Sequence, residues 1–472
     1  MLFGLPQCLS LGLPQRLSLG LPQRLPFGLS LSLCFRRRPL KIRELRWVDD
    51  FFSAVRRHVF LREEDLVLIL PPNRVYKVND TGFRLIKCLL EGGRAVDLPA
   101  ETPEQVRDLG AFFRGIRNLI ENDPAVAGPG IESVPYTFDY TSLPVLGEIA
   151  VTYRCNNRCR FCYVGNNSDP GPEMSGDEIK KIIMTFREEA KIPFFSFTGG
   201  EPLLRRDLEE FIAFAGTAEL SVNLVSNGTL ADRPRAKSLF HSGLRTAQVS
   251  VEAPDRETHD FLSAVPGSFD KTIAGIDALK SAGISVQTNT TITAANVSRA
   301  AEMPEFLEGL GITRFAMNLF IPVGTGRENG DLFFSYSGIG PVIEAVRRQA
   351  ASRNMTFYWY SPVPHCHYNP LARGLGNKSC AAMDGLISVS PTGDVLPCSS
   401  YPLPLGNLLE SDFRSVWFSE KAAHFKQKHY AAEACTSCSK FIACQGACPL
   451  YWNYAGTGEI RPQATCKGGN MP

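Results

Sequence analysis

Long apolar runs are missing from this chain of 472 residues. Nothing reaches the roughly eighteen consecutive apolar residues of a membrane-crossing helix, so no transmembrane segment is expected. A charge of one sign is missing too: 50 Lys and Arg against 48 Asp and Glu leave a formal net charge of +2. That balance gives neither nucleic acid nor an anionic membrane surface a reason to be the main partner. Scattered cysteine is the third absence. Of fourteen cysteines only Cys8, Cys34 and Cys88 fall outside Cys155–Cys162 and the region after residue 365. Such clustering in a long chain argues against a disulfide framework and for metal ligands in a reducing, cytoplasmic compartment. Acidic residues, finally, are absent from residues 1 to about 40.

In that acid-free segment Gly-Leu-Pro-Gln recurs at Gly4, Gly12 and Gly20 with a period of eight. Proline in each unit blocks a continuous helix. An acid-poor, Arg- and Ser-rich start suits a transit peptide, while the repetition suits translated repetitive DNA from a mis-assigned start. Residues 1–44 are expected to be disordered on either view.

What is present is organised around VTYRCNNRCRFCYVG, where Cys155, Cys159 and Cys162 stand at C-x3-C-x2-C in one loop. The loop follows an apolar run, Val145–Val151, that reads as a strand. A closed cubane of four irons takes four thiolates; this loop supplies three and leaves one iron open. Structural zinc instead favours paired CxxC knuckles. A second strand, Phe194–Phe197, runs into Thr198-Gly199-Gly200-Glu201-Pro202. On these two motifs the sequence resembles the radical S-adenosylmethionine (SAM) enzymes. The resemblance implies a [4Fe–4S] cluster on the three cysteines, its fourth iron chelated by the amino and carboxylate groups of SAM. It also implies that Gly199, Gly200, Glu201 and Pro202 bind the methionine amino group. Two glycines let backbone approach a ligand closely, and a carboxylate makes a charge-assisted hydrogen bond to an ammonium.

Upstream, residues 45–122 read as a compact unit of two strands (Leu66–Leu70 and Val75–Val78) and capped helices. Asn79 is a helix cap, and Thr102-Pro103-Glu104-Gln105 is a capping box. VYKVNDTGFRLIKCLLEGG resembles the small winged-helix-like α+β domain found with pyrroloquinoline quinone biosynthesis enzymes. That resemblance implies binding of a leader peptide by adding a strand to an exposed sheet edge; the plainer alternative is a capping domain. Proline- and glycine-rich residues 123–143 read as a linker. Across residues 144–350, strands alternate with helical patterns, the signature of parallel βα units. Six strands in this order resemble the partial (βα)6 radical SAM barrel, an α/β fold. By that resemblance Ser250 and Glu252 contact the SAM ribose or its neighbours, and Asn227 and Asn289 line the same pocket. Gly324-Thr325-Gly326 is read as a ligand cradle or a plain turn. His241 and His259, on polar helical stretches, are expected at the surface.

Residues 351–472 carry Cys380, Gly393 and Cys398, then Cys435-x2-Cys438-x5-Cys444-x3-Cys448, then Cys466. CxxC followed by CxxxC can close one zinc site, but seven cysteines are too many for one zinc and awkward for two. Pro391-Thr392-Gly393 predicts a tight hairpin that brings Cys380 and Cys398 together. The spacing matches the SPASM extension, which implies two auxiliary [4Fe–4S] clusters. Carried over, one uses Cys435, Cys438, Cys444 and Cys466. The other uses Cys380, Cys398 and Cys448, with Cys366 expected to close it; the alternative is a polar turn at His365–His367 and one open iron.

The expected function is that of a cytoplasmic radical SAM/SPASM peptide maturase. It would use an external electron donor to cleave SAM and abstract hydrogen from a ribosomally made precursor peptide bearing a leader. Alternatives are a sulfatase or a tetrapyrrole as substrate, or a non-enzymatic multi-cluster electron carrier. Ser399 stands where sulfatase-maturing relatives carry a basic Asp, which weakens the first alternative, and the Gly-Gly-Glu-Pro turn argues against the last.

Overall fold

The computed structural model describes residues 15–19, 43–71, 74–98, 100, 102–121, 131–135, 138, 140–165 and 171–461. Cys8, Cys34, Cys466, most of the 1–44 segment and much of the 123–143 linker lie outside them. The chain divides between Leu143 and Pro144 into two compact units.

The first unit holds a sheet of five strands: β1 (Gln15–Leu19), β2 (Phe60–Arg62), β3 (Val67–Leu70), β4 (Arg74–Val78) and β5 (Ile131–Pro135), ordered β2-β3-β4-β1-β5. Helices Arg46–Val55, Asp80–Leu90 and Pro103–Glu121 accompany it. Their starts follow the expected chemistry. Asn79 Oδ1 accepts the Gly82 N–H at 2.8 Å, and Thr102 and Gln105 exchange side-chain and backbone bonds at their helix start. Phe52 meets Phe113 edge-on at 5.7 Å within one core that also takes in Leu68 and Ile86. Within that core the ion pair of Arg62 with Asp65, at 2.8 Å, is fully buried. Arg62 also donates to the Leu143 carbonyl and Asp65 accepts the Ser142 N–H, so both charges are compensated. Part of the segment expected to be disordered is a strand: β1 pairs in parallel with β4, Ser18 opposite Lys77. The edges of this sheet are therefore β2 and β5.

The second unit is built on ten strands. They are β6 (Leu146–Thr152), β7 (Phe194–Gly199), β8 (Ser221–Ser226), β9 (Thr246–Ser250), β10 (Ser285–Ile292), β11 (Arg314–Leu319), β12 (Thr356–Trp359), β13 (Leu386–Val389), β14 (Asp394–Leu396) and β15 (Gly406–Asn407). From β6 to β12 neighbours in sequence are parallel neighbours in the sheet, joined by crossover helices. β6 and β7 are mainly apolar, as strands covered by helices are, whereas β9 and β10 carry polar residues such as Gln248, Gln287 and Asn289. Phe186, on helix Gly176–Glu188, packs edge-on against Phe195 of β7 at 5.8 Å. The Ser175–Glu178 capping box starts that helix.

Two features extend the six expected strands. β12 adds a further parallel strand beside β11, and β13 lies parallel to β6 at the other end. The hairpin of β13 and β14 turns at Gly393, whose φ of +86° is the left-handed conformation that glycine takes without strain. The cysteine-rich region thus continues the barrel's own sheet. Among the described residues no helix is long and apolar enough to cross a membrane.

Candidate active site and cysteine centres

Parallel strands in register present their C-terminal ends together, and loops there form the site. Thr152 of β6 is level with Gly199 of β7, and Asn289 of β10 with Ser250 of β9. The cysteine loop leaves β6 and is pinned on its far side: Arg158 and Arg160 donate their N–H groups to Ser263 and Leu262 carbonyls. Asn227, just past β8, donates to Asn156 Oδ1 at 2.9 Å and reaches Cys155 Sγ at 3.8 Å.

Cys155, Cys159 and Cys162 all line one cavity, with Gly199, Gly200 and Asn227. Ser250 and Glu252 line it from the next strand end. Burial pushes the Cys155 thiol up to about 11 and Cys159 well above its ordinary value, and the neighbouring thiols raise them further. Three thiolates held here need a positively charged core beside them. Three thiolates from one loop are the donor set of an iron–sulfur cluster that keeps one iron for another ligand. Asn157 Oδ1, buried at the same wall, has no partner among the described residues and leaves an acceptor for a bound donor.

The glycine turn packs closely on the cysteine loop. A Cβ at Gly199 would stand 2.0 Å from the Thr152 carbonyl, and one at Gly200 2.3 Å from that of Arg154. Gly200 and Glu201 donate their N–H groups to those same carbonyls at 2.8 Å. The glycines are thus required first by the cysteine loop, against which their backbone lies. Glu201 is fully buried and is not among the residues that line the cavity. Its Oε1 accepts from Ser226 Oγ and the Leu203 N–H, its Oε2 from the Asn227 N–H. Burial moves its carboxyl up to about 6, against these bonds. Pro202 follows it into a buried turn. Asn289 also stands behind the wall, donating to Asn318 Oδ1 at 2.7 Å, and Asn318 is the residue that lines the cavity.

Glu252 accepts the Thr291 N–H on Oε2 at 2.8 Å, and burial pushes its carboxyl up to about 8. His259, expected at the surface, is 2% exposed and lines the cavity. Its Nδ1 accepts the Glu252 N–H at 3.2 Å, while burial drives its pKa down to about 4. The polar pattern of its helix hid this, because the partner residues come from a strand end. His241, at the end of its helix, is exposed as expected. Gly324-Thr325-Gly326 packs on the chain just after the third cysteine: Gly326 donates to the Cys162 carbonyl and Thr325 Oγ1 to that of Gly165.

The eleven described cysteines are all free. In the C-terminal region they fall into two groups. Cys380, Cys398 and Cys448 lie together, each neighbouring thiol raising the Cys398 or Cys448 thiol beyond what burial does. Cys444 instead neighbours Cys435 and Cys366. Beside Cys366, the His365 N–H donates to Cys444 Sγ at 3.3 Å.

The Radical SAM superfamily matches residues 149–310, and the SPASM iron–sulfur cluster-binding domain matches residues 380–439. An AdoMet-dependent heme synthase of Nitratidesulfovibrio vulgaris is 29% identical over 327 residues, 65% of this chain and 88% of that protein. A PqqA peptide cyclase of Methylocella silvestris is 26% identical over 309 residues, 63% of this chain and 80% of that one. Among solved structures, Streptococcus suis SuiB bound to its precursor peptide SuiA superposes with a TM-score of 0.63 at 16% identity. The likeness, one of fold, covers 87% of this chain and 99% of SuiB.

Proposed function

The chain is a radical S-adenosylmethionine enzyme, a radical SAM domain followed by a SPASM domain, and from that premise we propose that it is a maturase of a ribosomally made peptide. The two domains imply iron–sulfur clusters and bound SAM; three clusters of four irons is our reading of the cysteine groups. Cys155, Cys159 and Cys162 would hold the cluster that meets SAM, and the two C-terminal groups the auxiliary ones. When bound and reduced, that cluster and SAM supply the radical that abstracts hydrogen from an unactivated carbon.

The chain's own residues do the positioning. Asn227 ties the cysteine loop to the end of β8. Glu252, with its carboxyl near 8, carries a proton at neutral pH and can donate it in a hydrogen bond to a hydroxyl in the cavity. Ser250 stands beside it on the same wall. Cavity walls of Phe161, Leu319, Phe320 and Ile321 keep water from a reactive centre.

The observation that carries the peptide reading is the separate N-terminal α+β unit with its own core and sheet. The fold likeness extends over 87% of this chain to a protein solved with its precursor peptide. A leader strand would add at an edge of that sheet, β2 or β5, or take the place of β1 on β4. The higher identity to a heme synthase supports a second reading, a tetrapyrrole substrate.

The test is anaerobic incubation of reconstituted protein with SAM, reductant and either a short co-encoded peptide or an iron-bound tetrapyrrole. Peptide-dependent 5′-deoxyadenosine with a mass change in the peptide is expected. Turnover of the tetrapyrrole alone would overturn the peptide reading. The triple variant Cys155→Ala, Cys159→Ala, Cys162→Ala should lose about four irons and all 5′-deoxyadenosine.

A further inference from the structure

Two buried charges in the second unit lie outside the cavity described above. Lys428 is 0% exposed and Asp384 4%. Lys428 follows helix Glu420–Lys426, whose C-cap is Gln427. A helix commonly ends in a left-handed residue just past its cap, and glycine usually fills that place. Here Lys428 takes the left-handed φ of +60°, which costs a residue with a side chain about 1–2 kcal/mol. Its N–H donates to the Phe425 carbonyl and its carbonyl accepts the Ala431 N–H, so the turn is closed on both sides.

The side chain gives the position its use. Lys428 Nζ donates to the Cys380 carbonyl at 2.8 Å, across 48 positions, and lies 3.2 Å from Asp384 Oδ2. Asp384 is set in a turn just past Cys380, its own N–H donating to the Ala381 carbonyl at 3.1 Å. Cys380 itself is 2% exposed. An ion pair buried this deeply adds little stability, because desolvating both charges offsets their attraction. Glycine would end the helix as well, and an apolar side chain would fill the space. What neither supplies is a standing positive charge against the main chain of a cysteine. In a water-excluded interior such a charge acts strongly over several ångströms. Net charge and solvent exposure are among the factors that set the potential of an iron–sulfur centre.

We propose that Lys428, held in place by Asp384, raises the reduction potential of the iron–sulfur centre that Cys380 serves. Reduction adds one electron to that centre from an external reductant, with no bond made or broken and no proton moved. The ammonium stabilises the added negative charge, while Asp384 orients the ammonium and offsets part of its charge. The inference rests on Cys380 being a cluster ligand and not on the peptide reading, because its readout involves no substrate.

Anaerobic titration of the reconstituted protein with dithionite, followed by electron paramagnetic resonance, gives a midpoint potential for each cluster component. Cys380→Ser, with a harder oxygen ligand, marks the component in question by displacing it. Lys428→Met removes the positive charge from a chain of similar length and should lower that midpoint. Asp384→Asn leaves the ammonium less compensated and should raise it. The other components should keep their midpoints in both variants. If Lys428→Met fails to assemble its clusters, the direction of the shift in Asp384→Asn decides. A mere staple between two turns would change the unfolding midpoint and leave the potentials alone. Unshifted potentials, or shifts of the same sign in both variants, would overturn the inference and leave the cluster ligands as assigned. A wild-type spectrum in Cys380→Ser would overturn the ligand reading, and the inference with it.

Discussion

Glu201 accepts the Ser226 hydroxyl on Oε1 at 2.8 Å across 25 positions, and so joins the turn after β7 to the end of β8. Its other oxygen accepts the N–H of Asn227, the residue that reaches the cysteine loop. The carboxylate is a brace inside the protein.

If so, Glu201→Ala destabilises the protein before SAM is added. Three donors, Ser226 Oγ and the Leu203 and Asn227 N–H groups, lose their acceptor in a buried place. The loss should be about 3 kcal/mol, seen as a lower unfolding midpoint without ligand. Glu201→Gln offers an N–H2 where an acceptor is needed and should fall between. An Ala variant with wild-type stability but weak SAM binding would instead place the carboxylate on the ligand.

His259 makes stability depend on pH in one direction. Its neutral ring accepts the Glu252 N–H, and burial holds its pKa down to about 4 against an ordinary 6.5, although Asp255 and Asp260 oppose the shift. Between those values the unfolded chain takes up a proton that the folded chain refuses. The contribution is therefore complete above pH 6.5 and is lost as pH falls towards 4. His259→Asn keeps an acceptor and removes the titration, so the wild-type protein should lose more stability than the variant between pH 7.5 and 5. Parallel pH profiles of the two unfolding midpoints would contradict the buried neutral ring.

How much of this could be read beforehand follows from what each feature depends on. β6 and β7 were legible as apolar runs, and the later strands through their regular alternation with helical patterns. Ser175 with Glu178, Asn79 and Pro391-Thr392-Gly393 were legible because caps and turns are local chemistry. The placement of β13 beside β6 joins residues some 240 positions apart, as the Ser388 bond to Glu148 shows. No local pattern reports such a pairing. The same applies to His259, whose helix reads as polar but which is buried beside Glu252. Glu201 was found by its motif, yet the direction of its side chain depends on where β8 ends.

The glycine turn offers a sharper test of how the cysteine loop is held. Gly200 has no room for a methyl group: it would stand 2.3 Å from the Arg154 carbonyl and 2.6 Å from that of Tyr153. Both obstacles are backbone, so neither can rotate aside, and the loop itself must move. Gly216, in helix Leu208–Thr217, has nothing within 4 Å of its added Cβ. Alanine there should stabilise by about 0.5–1 kcal/mol, because glycine loses more backbone freedom in a helix. Gly200→Ala should leave the auxiliary iron in place while lowering the iron held by Cys155, Cys159 and Cys162, with 5′-deoxyadenosine formation falling in proportion. Misplacing ligands by a few tenths of an ångström weakens a cluster without unfolding a sheet whose strands pack elsewhere. Iron counts and circular dichroism on the two alanine variants side by side provide the check. Full cluster occupancy in Gly200→Ala would mean that the loop is set by its other anchors, at Ser263 and Leu262, and not by the turn after β7.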